Sequence, residues 1–442
     1  MKTVVIALVL AWCGIAAAQP QHMDEAQIRH GTGEAPEVFL LTFGEGVQIF
    51  EKFGHAALCL HYPSEGVPPQ VLTPPIRAFL QPIADATKIP MEQLPLVACV
   101  NYGVTNFREG PPMVWHFLRT EQKFWADTES MISMVKFYSG RDALGRQLEE
   151  DRDIWVQKLP LDEAHAHQIE HAIYKTLEDD HGEPCVDHEA EGCYYYYDHF
   201  FNNCTTRLRD MIDDATSGKL GGDSRSIDYP MTFRQMGRRG LAELPPLIGL
   251  ADFVLGRQLD DTPTLWQAMF HPDILREQVK AQLGVEPQQI YKRKGPDFPQ
   301  DGSTFRLVFL GLGLLFGLPL AIAHWRRPRS KLEKAALIWA TLWLVLWGLI
   351  IYTLVAISSI PGVRWNEAVF VMTPIDIVLP FLGAVKLRKY ARVRIAVLML
   401  VSVLCAIGVF HQPLWVPVVC AFMVFAPLGL DQRPVDLVAP GQ

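Results

Sequence analysis

FNNCTTRLRDMIDD, residues 201–214, opens with two good helix N-cap residues, Asn202 and Asn203, and then adopts a helical pattern. From Thr205 to Asp214 the apolar positions Leu208, Met211 and Ile212 fall on one side. Cys204 would occupy the first turn, where the helix dipole and unpaired backbone amides stabilise a thiolate and lower its pKa. The same amides can hold an oxyanion. A nucleophilic thiol also needs a base within hydrogen-bond reach. Upstream, FGHAALCL (residues 53–60) offers His55 at the start of a strand, directly after Gly54. Taken alone, a Cys at a helix start is usually buried filler and a His after Gly is usually structural; the two gain weight together.

Working outward, Phe39–Thr42, His55–Leu60 and Val97–Val104 read as strands, with a turn at Gly44-Glu45-Gly46. Alternation puts His55, Ala57 and Cys59 on one face, and Val97, Cys99 and Asn101 on one face of the later strand. Asn101 could therefore orient the His55 imidazole, with Tyr102 as the competing orienter. A Pro-rich connector runs from Tyr62 to Pro95, and residues 121–138 and 161–177 read as amphipathic helices. An acidic, Cys-bearing loop spans 179–193.

After the leader, the segment before the apolar tail holds five cysteines: Cys59, Cys99, Cys185, Cys193 and Cys204. An odd number in an oxidising compartment leaves one thiol unpaired unless chains cross-link. Cys185 and Cys193 make a plausible disulfide across the acidic loop. Cys59 and Cys99 could pair or remain two buried thiols, and Cys204 is the odd one out. A zinc site from Cys185, His188 and Cys193 with His181 has suitable residue types but no matching spacing. His165, His167 and His171 lack an HExxH context and read as an exposed helical face.

The chain divides into regions of different character. MKTVVIALVLAWCGIAAA, residues 1–18, reads as a signal peptide cut after Ala18, with an uncleaved anchor as the alternative; Trp12 spoils a lipobox at Cys13. Residues 19–302 read as an exported globular domain. Residues 303–430 read as a bundle of about five transmembrane helices, at 304–323, 336–357, 368–386, 395–411 and 414–430, leaving 431–442 as a cytoplasmic tail. Arg326, Arg327, Arg329, Lys331 and Lys334 follow the first span, and Lys386, Arg388, Lys389, Arg392 and Arg394 follow the third. The other connectors hold only Arg364, so the two basic loops belong in the cytoplasm and the first span enters from outside.

Charge agrees with export. From Gly302 to Gln442 there are 13 Lys/Arg and 5 Asp/Glu, a net of +8, so a chain of −8 overall carries −16 in residues 1–301. An acidic domain of this kind excludes nucleic acid as a partner. Asp376, inside the third apolar run, is a functional candidate by position. The plainer account is a carboxylate hydrogen-bonded to Thr373 or a neighbouring helix, in a helix broken near Pro374.

FGHAALCL, the VNYG segment (100–103) and FNNCTTRLRD (201–210) together resemble the Lnb-type lipoprotein N-acyltransferase family. LLTFGEGVQIFEKFGHAAL (40–58) is similar to the family's opening and DDTPTLWQAMFHPDIL (260–275) to its closing stretch, so the resemblance covers most of residues 37–277. WNEAVFVMTPIDIVLP (365–380) departs from the family's wording, and no role passes to Asn366 or Asp376. The resemblance implies an α+β fold of the permuted papain-like type (NlpC and lecithin:retinol acyltransferase), followed by an all-α transmembrane bundle. It implies Cys204 as nucleophile, His55 as base and, more weakly, Asn101 as orienter. The implied reaction moves an acyl chain from a membrane phospholipid through a Cys204 thioester to the N-terminal amine of a diacylated lipoprotein. It takes place at the outer surface of a bacterial inner membrane and needs no metal or cofactor. Two rivals stand beside it: a membrane-anchored cysteine hydrolase, and a non-catalytic binding module in which Cys204 is structural.

Overall fold

The computed structural model describes residues 33–46, 51–64, 73–106, 111–140, 150–299 and 306–433. The leader and the last residues of the tail lie outside them. The chain divides into two units, residues 1–230 with 263–298, and residues 231–262 with 299–442.

The first unit is built on a seven-stranded antiparallel sheet: β1 (Glu37–Phe43), β2 (His55–His61), β3 (Ala98–Val104), β4 (Lys123–Ser130), β5 (Ile154–Lys158), β6 (Tyr195–Tyr196) and β7 (Gln288–Tyr291). Their order is β6-β4-β3-β2-β1-β5-β7. Period-two alternation gives the sheet two buried faces. Leu40, Leu58, Leu60, Val100 and Tyr102 pack on one side against helices Glu163–Thr176, Cys204–Ala215 and Pro272–Leu283. Phe39, Leu41, Phe43, Ala57 and Cys59 pack on the other against helices Pro74–Thr87 and Met131–Tyr138. The fold is mixed α+β, as the sequence implies.

Two local readings need correction. Residues 121–138 are not one helix: Lys123–Ser130 is strand β4, paired along β3, and the helix begins only at Met131, capped by Ser130. Phe124 and Ala126 alternate with half-exposed neighbours, and β3 offers a long ladder that outweighs local helix preference. The connector 62–95 also contains a helix, Pro74–Thr87, whose first turn accommodates Pro74 and Pro75 because those amides have no helical partner.

The second unit is helical. Leu307–Arg326 and Lys331–Ile357 are long and apolar enough to cross a membrane. The third expected span, 368–386, is not a continuous helix: it consists of 3₁₀ turns at Glu367–Phe370 and Pro374–Phe381, broken by Pro374 and Pro380. The fourth apolar run belongs to a longer helix, Ala384–Ala406, which absorbs the basic cluster, and Trp415–Gly429 follows. Asp376 is fully buried here and is held by Arg394 at 3.1 Å and by the Tyr390 hydroxyl at 2.7 Å, both on the Ala384–Ala406 helix. Thr373 instead caps the Ile375 amide.

Residues 231–262, within the stretch read from the sequence as exported domain, group with this helical unit. Arg234 holds the Asp260 carboxylate at 2.7 and 3.0 Å and the carbonyls of Leu255 and Gly256. Gly256 must be glycine, because a Cβ there would lie 2.1 Å from the Trp365 carbonyl oxygen.

Candidate active site

The helix Cys204–Ala215 starts where the sequence places it, and for a local reason. Asn203 is the N-cap: its side-chain oxygen accepts from the Thr206 amide at 2.8 Å, and the Thr206 hydroxyl accepts from the Asn203 amide at 2.8 Å. The Asn203 amide nitrogen donates to the carbonyls of His199 and Phe270, so every polar atom of the cap is used. Cys204 is thereby fixed as the first helical residue. Leu208, Ile212 and Ala215 follow at helical spacing and bury one face on the sheet, each larger side chain contributing about 2 kcal/mol.

The thiol argument from parity holds. Cys59 is disulfide-bonded to Cys99, its register partner across β2 and β3, and Cys185 to Cys193. Cys204 is free and buried, 8% exposed. Its sulfur lies 3.7 Å from the Thr205 hydroxyl, and the backbone amide of Ala56 is directed at it. Its Cβ is 3.9 Å from where a Cβ on Gly103 would stand. The nucleophile candidate therefore sits between residue 56 of β2 and residue 103 of β3. These two strands are paired only from Leu58–Leu60 to Ala98–Val100, and beyond that they separate.

His55 and Asn101 bridge the same gap. The His55 Nε2 and Asn101 Oδ1 atoms are 2.6 Å apart, and Asn101 Nδ2 donates to Glu129 Oε1 at 3.0 Å. Gly54 makes the position of His55 possible: its φ is +81°, and a Cβ there would meet the Phe43 carbonyl oxygen at 2.6 Å. The His55 ring stacks on Phe43 and leans on Tyr138, both on the face opposite the Cys204 helix. Imidazole and thiol thus approach the β2–β3 gap from different sides, meeting at the His55–Ala56 main chain. Among the described residues no hydrogen bond joins the sulfur to the imidazole. Tyr102 is no orienter: it lies on the Cys204 side and bonds to the Thr176 hydroxyl at 2.8 Å.

The electrostatics give a neutral resting pair. Burial pushes the Cys204 thiol up, against the opposing pull of the Thr205 hydroxyl and of the amides of Ala56, Thr205 and Cys204. Burial lowers His55 to about 4, and repulsion from Arg152 adds to it, while the Asn101 bond works the other way. Arg152 is itself buried between Glu51 at 2.6 Å and Glu150 at 2.8 Å.

Sequence reasoning missed Glu129 and Arg152. Glu129 was hidden by the reading of 121–138 as a helix; the alternation in FWADTE was the available signal. Tyr195 is buried beside Cys204, the backbone amide of Gly103 is directed at its hydroxyl, and the guanidinium of Arg207 lies 3.8 Å from its ring centre. Burial pushes its pKa far up, so it stays a donor. The zinc reading fails on chemistry, since the Cys185 and Cys193 sulfurs are consumed in a disulfide. His165 and His167 pair with Asp162 and Glu170 on their own helix or its cap.

A free thiol at a helix start on an antiparallel sheet, with two helices of membrane-crossing length among the described residues, points to a membrane protein with a thiol-bearing α+β domain. Residues 98–239 match the family described as the Lnb N-terminal periplasmic domain. That match takes in Asn101, Glu129 and Cys204, with His55 lying before it. No curated protein and no solved structure matches the chain.

Proposed function

We propose that the chain is a membrane lipoprotein N-acyltransferase with a permuted papain-like thiol domain on the outer face of a multi-pass inner-membrane protein. The observation that carries this reading is Cys204: the one free thiol among the described cysteines of the first unit, fixed at a helix start across the β2–β3 gap from the His55–Asn101 pair. The two candidate spans and the basic clusters after Arg326 and at the start of the Ala384–Ala406 helix support attachment to a bilayer with that orientation.

In the first half-reaction His55 Nδ1 takes the proton of Cys204 as the sulfur attacks the acyl carbonyl of a phospholipid ester. The oxyanion is met by amides at the helix start and by the Tyr195 hydroxyl. The tetrahedral adduct expels the lysophospholipid alkoxide, which takes the proton back from His55, leaving an acyl thioester. In the second half-reaction the α-amine of a diacylglyceryl-cysteine terminus attacks the thioester and loses a proton to His55. The released thiolate recovers that proton, so one ester bond is exchanged for one amide bond. Both residues are neutral at rest, so proton transfer is coupled to acyl-ester binding instead of standing preformed. Water must be kept out, because a thioester also hydrolyses; the buried sulfur serves that need.

The test is mass spectrometry of lipoprotein N-termini from cells lacking any other N-acyltransferase. Wild type restores N-acylation, whereas Cys204→Ala and His55→Ala insert into the membrane and give none; full N-acylation by Cys204→Ala refutes the reading. The burial of the sulfur and the missing sulfur–imidazole bond favour one rival, a binding module with a structural Cys204. If Cys204 resists alkylation in native membranes yet reacts after denaturation, that rival gains.

A further inference from the structure

His55 can act as a base only if the nitrogen not bonded to Asn101 carries a lone pair, so its tautomer matters. The hydrogen-bond chain from β2 to β4 contains a device that sets it. Asn101 has one acceptor and one pair of donors on its amide, and they point at different partners: Oδ1 to His55 Nε2 and Nδ2 to Glu129 Oε1. An ionised carboxylate can only accept, so it forces Asn101 to present its NH₂ group to Glu129. The Asn101 oxygen then faces His55 and demands a proton on Nε2. Nδ1 is left with the lone pair.

We propose that Glu129 is a positioning residue which, through the amide of Asn101, holds the His55 proton on Nε2 and keeps Nδ1 basic. The inference rests on reading His55 as the base. When Glu129 is protonated, its O–H can donate to Asn101 Oδ1, the amide can turn over, and its NH₂ faces His55 Nε2. The proton then belongs on Nδ1 and the base is lost. No bond is made or broken beyond these proton positions.

Two observations set Glu129 apart from an ordinary buried carboxyl. It is 8% exposed and its Oε2 has no hydrogen-bond partner, so the residue is held at a cost that packing does not explain. Burial pushes its pKa up to about 7, against the Asn101 bond and with help from Asp127, which places its titration near neutrality. The charged and titratable groups around it are Asp127 on its own strand, His55 beyond Asn101, and Tyr138 with Arg152, Glu51 and Glu150 on the shared face of the sheet. Tyr138 stays protonated at any working pH, since burial raises it far above its usual value. Arg152 keeps its charge and is offset by Glu51 and Glu150.

The experiment follows alkylation of the Cys204 peptide by iodoacetamide in the full-length protein, from pH 5 to 9, for wild type, Glu129→Gln and His55→Ala. In wild type the rate rises through an inflection near neutrality before thiol ionisation takes over. Glu129→Gln, whose amide can either donate to or accept from Asn101, lacks that inflection and is slower at pH 8 by roughly tenfold. If Glu129→Gln keeps the wild-type profile while His55→Ala loses it, the inference is overturned and the base assignment survives. If His55→Ala also keeps it, both fall. A second measurement needs no variant: the ¹⁵N shifts of His55 in the wild-type chain should report the Nε2–H tautomer above the inflection and loss of that tautomer below it. A single unchanged tautomer across this range overturns the inference.

Discussion

Two buried carboxylates, Asp376 in the helical unit and Glu129 in the sheet unit, have opposite surroundings. Both oxygens of Asp376 are taken, by the Arg394 guanidinium and the Tyr390 hydroxyl. Glu129 has one oxygen bonded to an amide, the other unpartnered, and no cation against it among the hydrogen bonds and ion pairs of the described residues. A charge that is fully paired inside a protein is a structural element, and removing its partner leaves an uncompensated ion. A carboxyl left half satisfied next to an Asn–imidazole pair is what the positioning role proposed for Glu129 requires, and the fold retains it despite its cost.

That contrast can be broken most forcefully at Asp376. Asp376→Ala leaves Arg394 buried and unpaired, and should destabilise the helical unit by about 3–5 kcal/mol, read as a fall in the unfolding temperature of the solubilised protein. Joint replacement of Asp376 by Leu and Arg394 by Met should recover most of the loss, because the pair itself contributes little net stability. A large loss in the double variant would mean that the pair does more than satisfy itself.

Glu129→Gln should act in the other direction. The folded carboxyl titrates near 7 and the unfolded one near 4.5, so the unfolded chain ionises first and stability falls as pH rises between these values. Above pH 7 the penalty is complete, at most about 3 kcal/mol. Removing it should stabilise the chain at pH 8 by roughly 1–3 kcal/mol while acyl transfer declines. Chemical denaturation at pH 8 checks the sign; destabilisation would mean that Glu129 is a structural acceptor.

The smallest effect is on slope. His55 and His199 are both lowered by burial to about 4, from 6.5, so their contribution is complete above 6.5 and is lost as pH falls toward 4. Glu129 opposes them from pH 4.5 upward. The stability of Glu129→Gln should therefore rise with pH between 4.5 and 6.5 more steeply than that of wild type, by about 1.4 kcal/mol per pH unit. Parallel curves would place the Glu129 titration outside this window.

What the sequence made legible follows the range of the interaction. The Cys204 helix start was readable because capping is decided within four residues, and β2 because alternation is decided within seven. Cysteine parity singled out the free thiol without any geometry. The side-chain alternation of β2 already put His55 on the same face as Cys59; what it did not contain was that the Cys204 helix covers the other face. The order of the sheet, the place of Glu129 opposite Cys99, and the Arg394 partner of Asp376 each depend on residues far apart in the chain. Pro374 did suggest a local break in the third span, but the extent of the break is set by what packs around it.

The most direct measurement is the mass of Cys204 after the full-length protein meets phospholipid in the absence of an acceptor amine. The account expects the Cys204 peptide to gain the mass of one fatty acyl group, and to lose it when an amine-bearing diacylated peptide is added. An unmodified Cys204 under turnover conditions, with N-acylated product still accumulating, would contradict it.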